Sequence, residues 1–251
     1  MITVRQLRYR IDEKGILHDV NLRIQRGETV SVMGVSGSGK TTLLKIIAGL
    51  IRPTSGQVFV DLSDITKLSE EELNRVRHRL GVVFQYGALF DSLTVYDNVA
   101  FALIRHTHLS KAEIDDIVDE KLGLVGLPGT QQLMPSQLSG GMQKRVGLAR
   151  AIAMSPEVLL YDEPTSGLDP VMTTVIDDLI MEMHDRLGVT SVIVSHALPS
   201  IFRISDRIAM LHDGMIIAYG APEEIRGSSD ERVQQFIQGK SEGPIQPGEI
   251  A

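Results

Sequence analysis

The chain has 251 residues, 43% hydrophobic and 23% charged, which suits one large α/β domain or two small ones with a sizeable buried core. A formal net charge of −7 argues against a general nucleic-acid or anionic-lipid surface, and the absence of cysteine excludes disulfides, thiolate metal sites and a cysteine nucleophile. The opening M-I-T-V-R-Q-L-R-Y-R reads without a signal peptide, and no apolar run approaches the roughly 18 residues of a membrane span, so any crossing of a membrane is expected to fall to another chain.

Residues 2–9 alternate apolar and polar, residues 16–24 do so roughly, and Asp12–Gly15 is a turn between them, predicting an antiparallel strand pair. Tyr9 can stack on an adenine ring, and a plain sheet-edge position suits it nearly as well. Next comes V-S-V-M-G-V-S-G-S-G-K-T-T, Val30–Thr42, an apolar run that ends in Gly34, Gly37 and Gly39 and leads into the helical pattern Leu43, Leu44, Ile46, Ile47. Strand, G-x-x-x-x-G-K-[ST] loop and helix together predict a nucleotide phosphate site. The glycines let successive amides of Gly34 to Gly39, Ser36 and Ser38 among them, turn inward at phosphate oxygens. The helix start at Lys40, Thr41 and Thr42 adds its dipole. Lys40 can reach the β- and γ-phosphates, and the Thr41 hydroxyl can ligate Mg²⁺.

Gln57–Asp61 resumes a short strand, and Ser69 followed by three glutamates caps a helix towards His78. The acidic run is explained by the helix dipole rather than by metal binding. Leu80–Phe84 is a strand delivering Gln85, placed to orient water or Mg²⁺ if ligands collect at that edge, and otherwise a loop residue. Helical patterns at about 95–105 and 110–123, the second capped by Ser110, predict a helical insertion over 86–156. His106 and His108 stand two apart and share no helical face, so solvated histidines are expected there.

In L-S-G-G-M-Q-K-R-V-G-L-A-R-A-I, Leu138–Ile152, Ser139 caps a helix whose first turn holds Gly140 and Gly141. Two glycines there cost roughly 1 kcal/mol each against alanine. A bare backbone at a helix start suits an anion, and with one phosphate loop already present the second start makes most sense facing the nucleotide of another copy. Val158–Tyr161 is a buried strand delivering Asp162, suited to holding Mg²⁺, and Glu163, suited to polarising an attacking water. Ser166–Asp169 is a turn before a helix over 170–187. The strand Ser191–Val194 delivers His196, which can reach a γ-phosphate. Asp206–Leu211 and Met215–Tyr219 form a hairpin, a helix covers 230–238, and the last dozen residues read as a flexible or partner-held tail.

In this order the motifs resemble the ATP-binding subunit of an ABC transporter, to about residue 240. Gly34–Thr41 matches the Walker A loop, Gln85 the Q-loop, Leu138–Gln143 the signature, Val158–Glu163 Walker B, Ser166–Asp169 the D-loop and His196 the switch histidine, with Tyr9 in the place of the adenine-stacking aromatic. The family usually carries an acid after the switch histidine, where this chain has Ala197. The resemblance implies an α/β P-loop NTPase fold with an N-terminal antiparallel β subdomain and an inserted α-helical subdomain. The expected ATP-binding domain is 1–240, its core and β part being 1–85 and 157–240 and its helical part 86–156, with 241–251 as a tail. It further implies ATP contacts from Ser139, Gly140, Gly141, Gln143 and Asp169, and Mg²⁺ held by Thr41, Gln85 and Asp162. F-Q-Y-G-A-L-F (Phe84–Phe90), Val95–Phe101, the run from Leu133 and the G-K-S-E-G-P tail look more narrowly like the ATPase of the MCE-type phospholipid transporters of the Mla system. That likeness implies a second copy of the chain, an integral permease, an MCE-domain protein and a STAS-domain protein as partners. It also implies a place on the cytoplasmic face of the inner membrane, residues 85–101 facing the permease, and Gly239–Pro247 lying on the partner ATPase. Lipoprotein-release or cell-division ATPases and small-solute importers share the nucleotide motifs and remain alternatives. A DNA- or ribosome-directed relative would show tandem domains, coiled-coil inserts or a basic face, none of which the sequence contains.

Overall fold

Alternation over the first two dozen residues becomes an antiparallel pair, β1 (Ile2–Ile11) and β2 (Lys14–Ile24), with Ile2 opposite Ile24 and Tyr9 opposite Leu17. The computed structural model describes residues 1–85 and 87–246. Tyr86 and Pro247, which fall in the expected permease-facing and partner-held segments, lie outside them. Contacts divide the chain into two units, Met1–Arg77 with the residues from Thr190 on, and His78–Val189.

In the first unit, β3 (Thr29–Met33) is buried along its whole length and leads through the glycine loop into α1 (Lys40–Ile47). β4 (Ser55–Val60) and the two-residue β5 (Ser63–Asp64) extend the antiparallel sheet in the order β2-β1-β4-β5. α2 (Glu70–Arg77) begins where Ser69 and Glu72 hydrogen-bond each other's backbone amides, at 2.9 and 3.4 Å, so the glutamate run does serve a helix start.

The second unit opens with β6 (Leu80–Val83), followed by α3 (Val95–His106), α4 (Lys111–Leu124) and α5 (Gly140–Ile152), and closes with β7 (Val158–Asp162) and α6 (Pro170–Leu187). Thr94 with Asp97 and Ser110 with Glu113 form capping boxes at α3 and α4, and Asp169 caps α6. α3 and α4 pack on α5, and Val99, Leu122, Leu148 and Ile152 of these helices are all buried. β6 and β7 run parallel, Val83 opposite Tyr161.

The chain then returns to the first unit with β8 (Thr190–Val194), α7 (Leu198–Ile204), β9 (Arg207–His212), β10 (Met215–Gly220), α8 (Pro222–Arg226) and α9 (Glu231–Gln238). β3 lies between β8 and β9 and parallel to both, while β9 and β10 form the expected hairpin over Asp213-Gly214. Helices α7 and α8 have no counterpart in the sequence reading. Each is short, starts beside a proline and follows an alanine that offers no side-chain cap.

Residues 239–246 differ from a loose tail. Gly239, in the left-handed region at φ 62°, turns the backbone away from α9. The chain then folds back so that Ile245, 8% exposed, joins Met33, Ile201, Met210, Ile225 and Val233 in a buried cluster. Gln235 of α9, itself buried, donates to the Ile245 carbonyl at 3.0 Å and accepts from its N–H at 2.7 Å. A primary amide that pairs with both backbone groups of one residue satisfies polar groups that this apolar setting would otherwise strand. Residues up to Gln246 thus rest on their own chain. Replacing Ile245 with Asp should lower the stability measured by denaturant unfolding by about 2–4 kcal/mol and speed hydrogen exchange at its amide; unchanged exchange would show that the segment is not held.

Asp230 caps α9 and accepts two hydrogen bonds from the Arg232 guanidinium, one of them from Nε at 3.0 Å. That guanidinium first, and the Arg232 amide after it, hold the Asp230 carboxyl down at about 2, against an ordinary 3.8. A depressed carboxyl contributes stability above its unfolded pKa and loses it as pH falls through the folded one. Compared with Asp230→Asn in acid titrations, the stability gap should be constant above pH 3.8 and close on descent to about 2; a gap that persists at lower pH would remove the ion pair as its cause.

Candidate active site

The phosphate loop takes its shape from what surrounds it. Gly34 adopts φ 151°, and a Cβ there would lie 2.1 Å from the Leu211 carbonyl oxygen of β9. Gly39 adopts φ 100°, and its Cβ would lie 2.8 Å from Leu17 Cδ2 of β2. Both positions require glycine twice over, for the dihedral and for the space. Gly39 starts α1 with no side-chain cap, so the first amides of that helix are not claimed by a capping residue. Lys40 is buried, and its ammonium donates to the carbonyls of Gly34 and Val35, both at 2.9 Å, which holds it over the loop. Ser36 and Gly37 form the exposed crown, Ser38 is buried beneath it, and Thr41 and Thr42 are half-buried on the first turn of α1.

In the same unit, Val194 of β8 lies opposite Val32 of β3, so Gly34 and His196, two residues further along each strand, leave the sheet at the same carboxyl edge. His196 is exposed. Beside it the buried Ser195 hydroxyl accepts from the Ala197 N–H at 3.0 Å, a local bond at the place where Ala197 brings no acid. Tyr9 lines a hollow of about 430 Å³ with Arg8, Leu17, His18 and Thr54. Leu17 is also the residue packed against Gly39, so the hollow and the phosphate loop share a wall.

The second unit repeats the arrangement with β6 and β7, whose carboxyl ends lead to Gln85 and to Asp162-Glu163. Asp162 is buried. Glu163 is half-buried and held at φ 49°, a left-handed conformation that costs a non-glycine residue free energy and clusters at functional sites. The Gln85 side-chain amide donates to Ser166 Oγ at 3.1 Å, tying the residue after β6 to the turn after β7. Ser139 caps α5 by accepting from the Met142 N–H at 3.3 Å. Gly140, in the first turn, has nothing within 4 Å of where a Cβ would stand, whereas at Gly141 the Met172 methyl would lie 2.7 Å away. Gln143 turns its amide back onto the Pro135 carbonyl at 3.0 Å and braces the 3-10 turn Pro135–Gln137, while Asp169 accepts from the Val171 and Met172 amides.

One residue of this site escaped the sequence reading. Lys144 of α5 is buried, and its ammonium donates to the carbonyls of Gln85 at 3.0 Å and Pro164 at 2.9 Å. Burial pushes its pKa below the usual lysine value, partly offset by the Glu163 charge. The signal was a cation one turn before Leu148, on the face of α5 that Leu148 buries.

The geometry is that of known proteins. The family described as ABC transporter matches residues 17–166. The intermembrane phospholipid transport system ATP-binding protein MlaF of Haemophilus influenzae is 44% identical over 98% of this chain and 93% of its own length. The probable ribonucleotide transport ATP-binding protein mkl of Mycobacterium tuberculosis is also 44% identical, over 92% of this chain and 64% of its own length. Among solved structures, the dimeric post-hydrolysis state of the ATP-binding cassette MJ0796 bound to ADP and Pi superposes with a TM-score of 0.81 at 35% identity, covering 88% of this chain and 99% of that one. The chain therefore belongs to the ABC transporter family, as an ATP-binding and ATP-hydrolysing subunit.

Proposed function

We propose that two copies of the chain close head to tail on two ATP molecules, each gripped by the Gly34–Thr42 loop of one copy and by Ser139, Gly140 and Gly141 of the other. The observation that carries this reading is the first turn of α5: Gly140 forgoes helix stability although, among the described residues outside its own helix turn, no atom lies within 4 Å of where a Cβ would stand. A neighbour that needs the space is then expected from outside, and a polyanion suits a helix start. The dimeric, ADP- and Pi-bound state of MJ0796 supports the pairing of two copies.

Within each half, Lys40 exchanges its two loop carbonyls for phosphate oxygens, a swap that brings little rearrangement because the ammonium already sits over the loop. Tyr9 supplies the flat face for adenine. Glu163 takes the proton of the attacking water, and His196 and Gln85 orient the γ-phosphate and that water. Among the described residues no cluster of three acidic, histidine or cysteine side chains is suited to hold a metal by itself. A hydroxyl, one buried carboxylate and a carboxamide (Thr41, Asp162, Gln85) nevertheless fit Mg²⁺, which takes few protein ligands and completes its shell with water and phosphate. When bound, the ion neutralises charge on the β- and γ-phosphates.

The cargo we propose is phospholipid, moved between inner and outer membranes. MlaF carries this reading ahead of mkl, because the match to it covers more of this chain and nearly all of the relative. No helix among the described residues is long and apolar enough to cross a membrane. The likeness to MlaF supports an integral permease at the cytoplasmic face of the inner membrane as the proposed partner through which the work is delivered. An MCE-domain protein and a STAS-domain protein complete the proposed assembly. A lipoprotein-release or cell-division role would show itself by capture of a different membrane partner.

Glu163→Gln should slow ATP turnover in the assembled complex by roughly 10²–10⁴-fold while ATP binding persists and an ATP-bound dimer accumulates on gel filtration; turnover at the wild-type rate would remove Glu163 from the chemistry. Gly140→Ala should leave unfolding stability the same or raise it by about 1 kcal/mol, yet reduce ATP-dependent dimerisation measured by light scattering. A dimer of undiminished affinity would refute the approach of a second copy at α5.

A further inference from the structure

Two peptide carbonyls leave the carboxyl ends of the neighbouring strands β6 and β7, those of Gln85 and Pro164, and a single buried ammonium joins them. Lys144 is 8% exposed, and the two contacts are 3.0 and 2.9 Å long. Filling this space with an ammonium is costly, since a methionine of similar length would pack without losing a hydration shell. The cation is there for what it holds.

What it holds belongs to a larger stripe. Lys144, Gly147 and Arg150 follow one another at intervals of three along one face of α5. A Cβ on Gly147 would lie 3.1 Å from Gly87 Cα, so the Q-loop backbone rests directly on the helix. Arg150 donates to the carbonyls of Gly87 at 2.9 Å and Ala88 at 2.6 Å. Three successive positions of α5 thus grip the described residues of 85–88. Lys144 alone also reaches the segment after β7, at the residue following the left-handed Glu163. A strained conformation persists only where neighbours fix it, and the Pro164 carbonyl is one of the points at which this one is fixed.

We infer that Lys144 is a positioning residue for ATP hydrolysis, holding Gln85 and Glu163 in one frame through the backbone carbonyls it bonds and locking that frame to α5. The inference rests on the roles proposed above for Glu163 and Gln85. It adds that a ligand arriving at the Ser139–Gly141 start of α5 acts on a helix whose second turn already carries both groups.

The test compares Lys144→Met, Lys144→Arg and Glu163→Gln in the assembled complex, with kcat and KM for ATP measured per folded protein and hydrogen exchange followed by mass spectrometry. Lys144→Met should lower kcat about tenfold or more with KM within about twofold. Lys144→Arg, which keeps donors for both carbonyls, should recover a large part of the loss. Exchange should quicken at residues 85–88 and 163–166 while the centre of α5 stays protected. Should the methionine variant not fold, Lys144→Gln, which is shorter and uncharged and cannot reach both carbonyls from the ammonium's position, is judged by the same criteria. An unchanged kcat, a rise in KM alone, or an arginine variant as slow as the methionine one would overturn the inference. If Glu163→Gln is inactive while Lys144→Met is not, only the role of Lys144 falls. If Glu163→Gln turns over normally, the reading of the β7 end falls with it.

Discussion

The constraint on which the rest depends is the absence of room for a side chain at Gly34 and Gly39. The first has the end of β9 against it and the second has β2, so the loop between them is moulded by its neighbours. That moulding explains why β9 and β2 matter to phosphate chemistry although neither carries an expected phosphate ligand. It also explains why a substitution at either glycine would be felt twice, through the dihedral and through the clash. The cluster around Met33 supports the same strand from below, and the C-terminal segment completes it through Ile245. The segment around Ile245 is thereby tied to the strand that launches the phosphate loop.

A second organising fact is that chemistry gathers at carboxyl ends of parallel strands in each unit separately. β3 and β8 deliver Gly34 and His196, while β6 and β7 deliver Gln85 and Asp162-Glu163. The strands are short and apolar, as buried parallel strands must be, and the polar residue that breaks each run becomes a functional candidate by position alone. This made the site legible in the sequence. The glycine loop and the acid pair after Tyr161 are both changes of residue character at the end of an apolar run, while Ser139 stands out as a capping residue before two glycines. Helix α6 was legible to its ends for a similar reason, with Asp169 capping its start and Gly188 its finish.

What stayed hidden was whatever depended on contacts distant in sequence. Gln235 reads as one more polar residue on a short helix, and only the turn of the chain at Lys240 and its return at Ile245 give its amide partners. Lys144 reads as a basic residue in a basic run, because its two carbonyl partners stand 59 and 20 positions away. Helix α7 hides for a local reason, lacking the capping side chain that announces a start. Gln143 and Asp169 are counted by resemblance among the ATP contacts, but the hydrogen bonds described for them brace a 3-10 turn and a helix start. Any contact they make with nucleotide would be added to those structural duties.

The face of α5 that carries Lys144, Gly147 and Arg150 has a bearing on how such proteins can be recombined. Glycine at 147 is tied to the nearness of Gly87, and Arg150 to carbonyls that only a particular course of the backbone at Gly87 and Ala88 presents. These two stretches form one fitted joint divided between distant parts of the gene. A chimera that grafts in a relative's helical insertion from residue 95 onward would mate the donor's helix with the host's loop. Moving the seam upstream of Gln85 keeps both halves of the joint from the same parent.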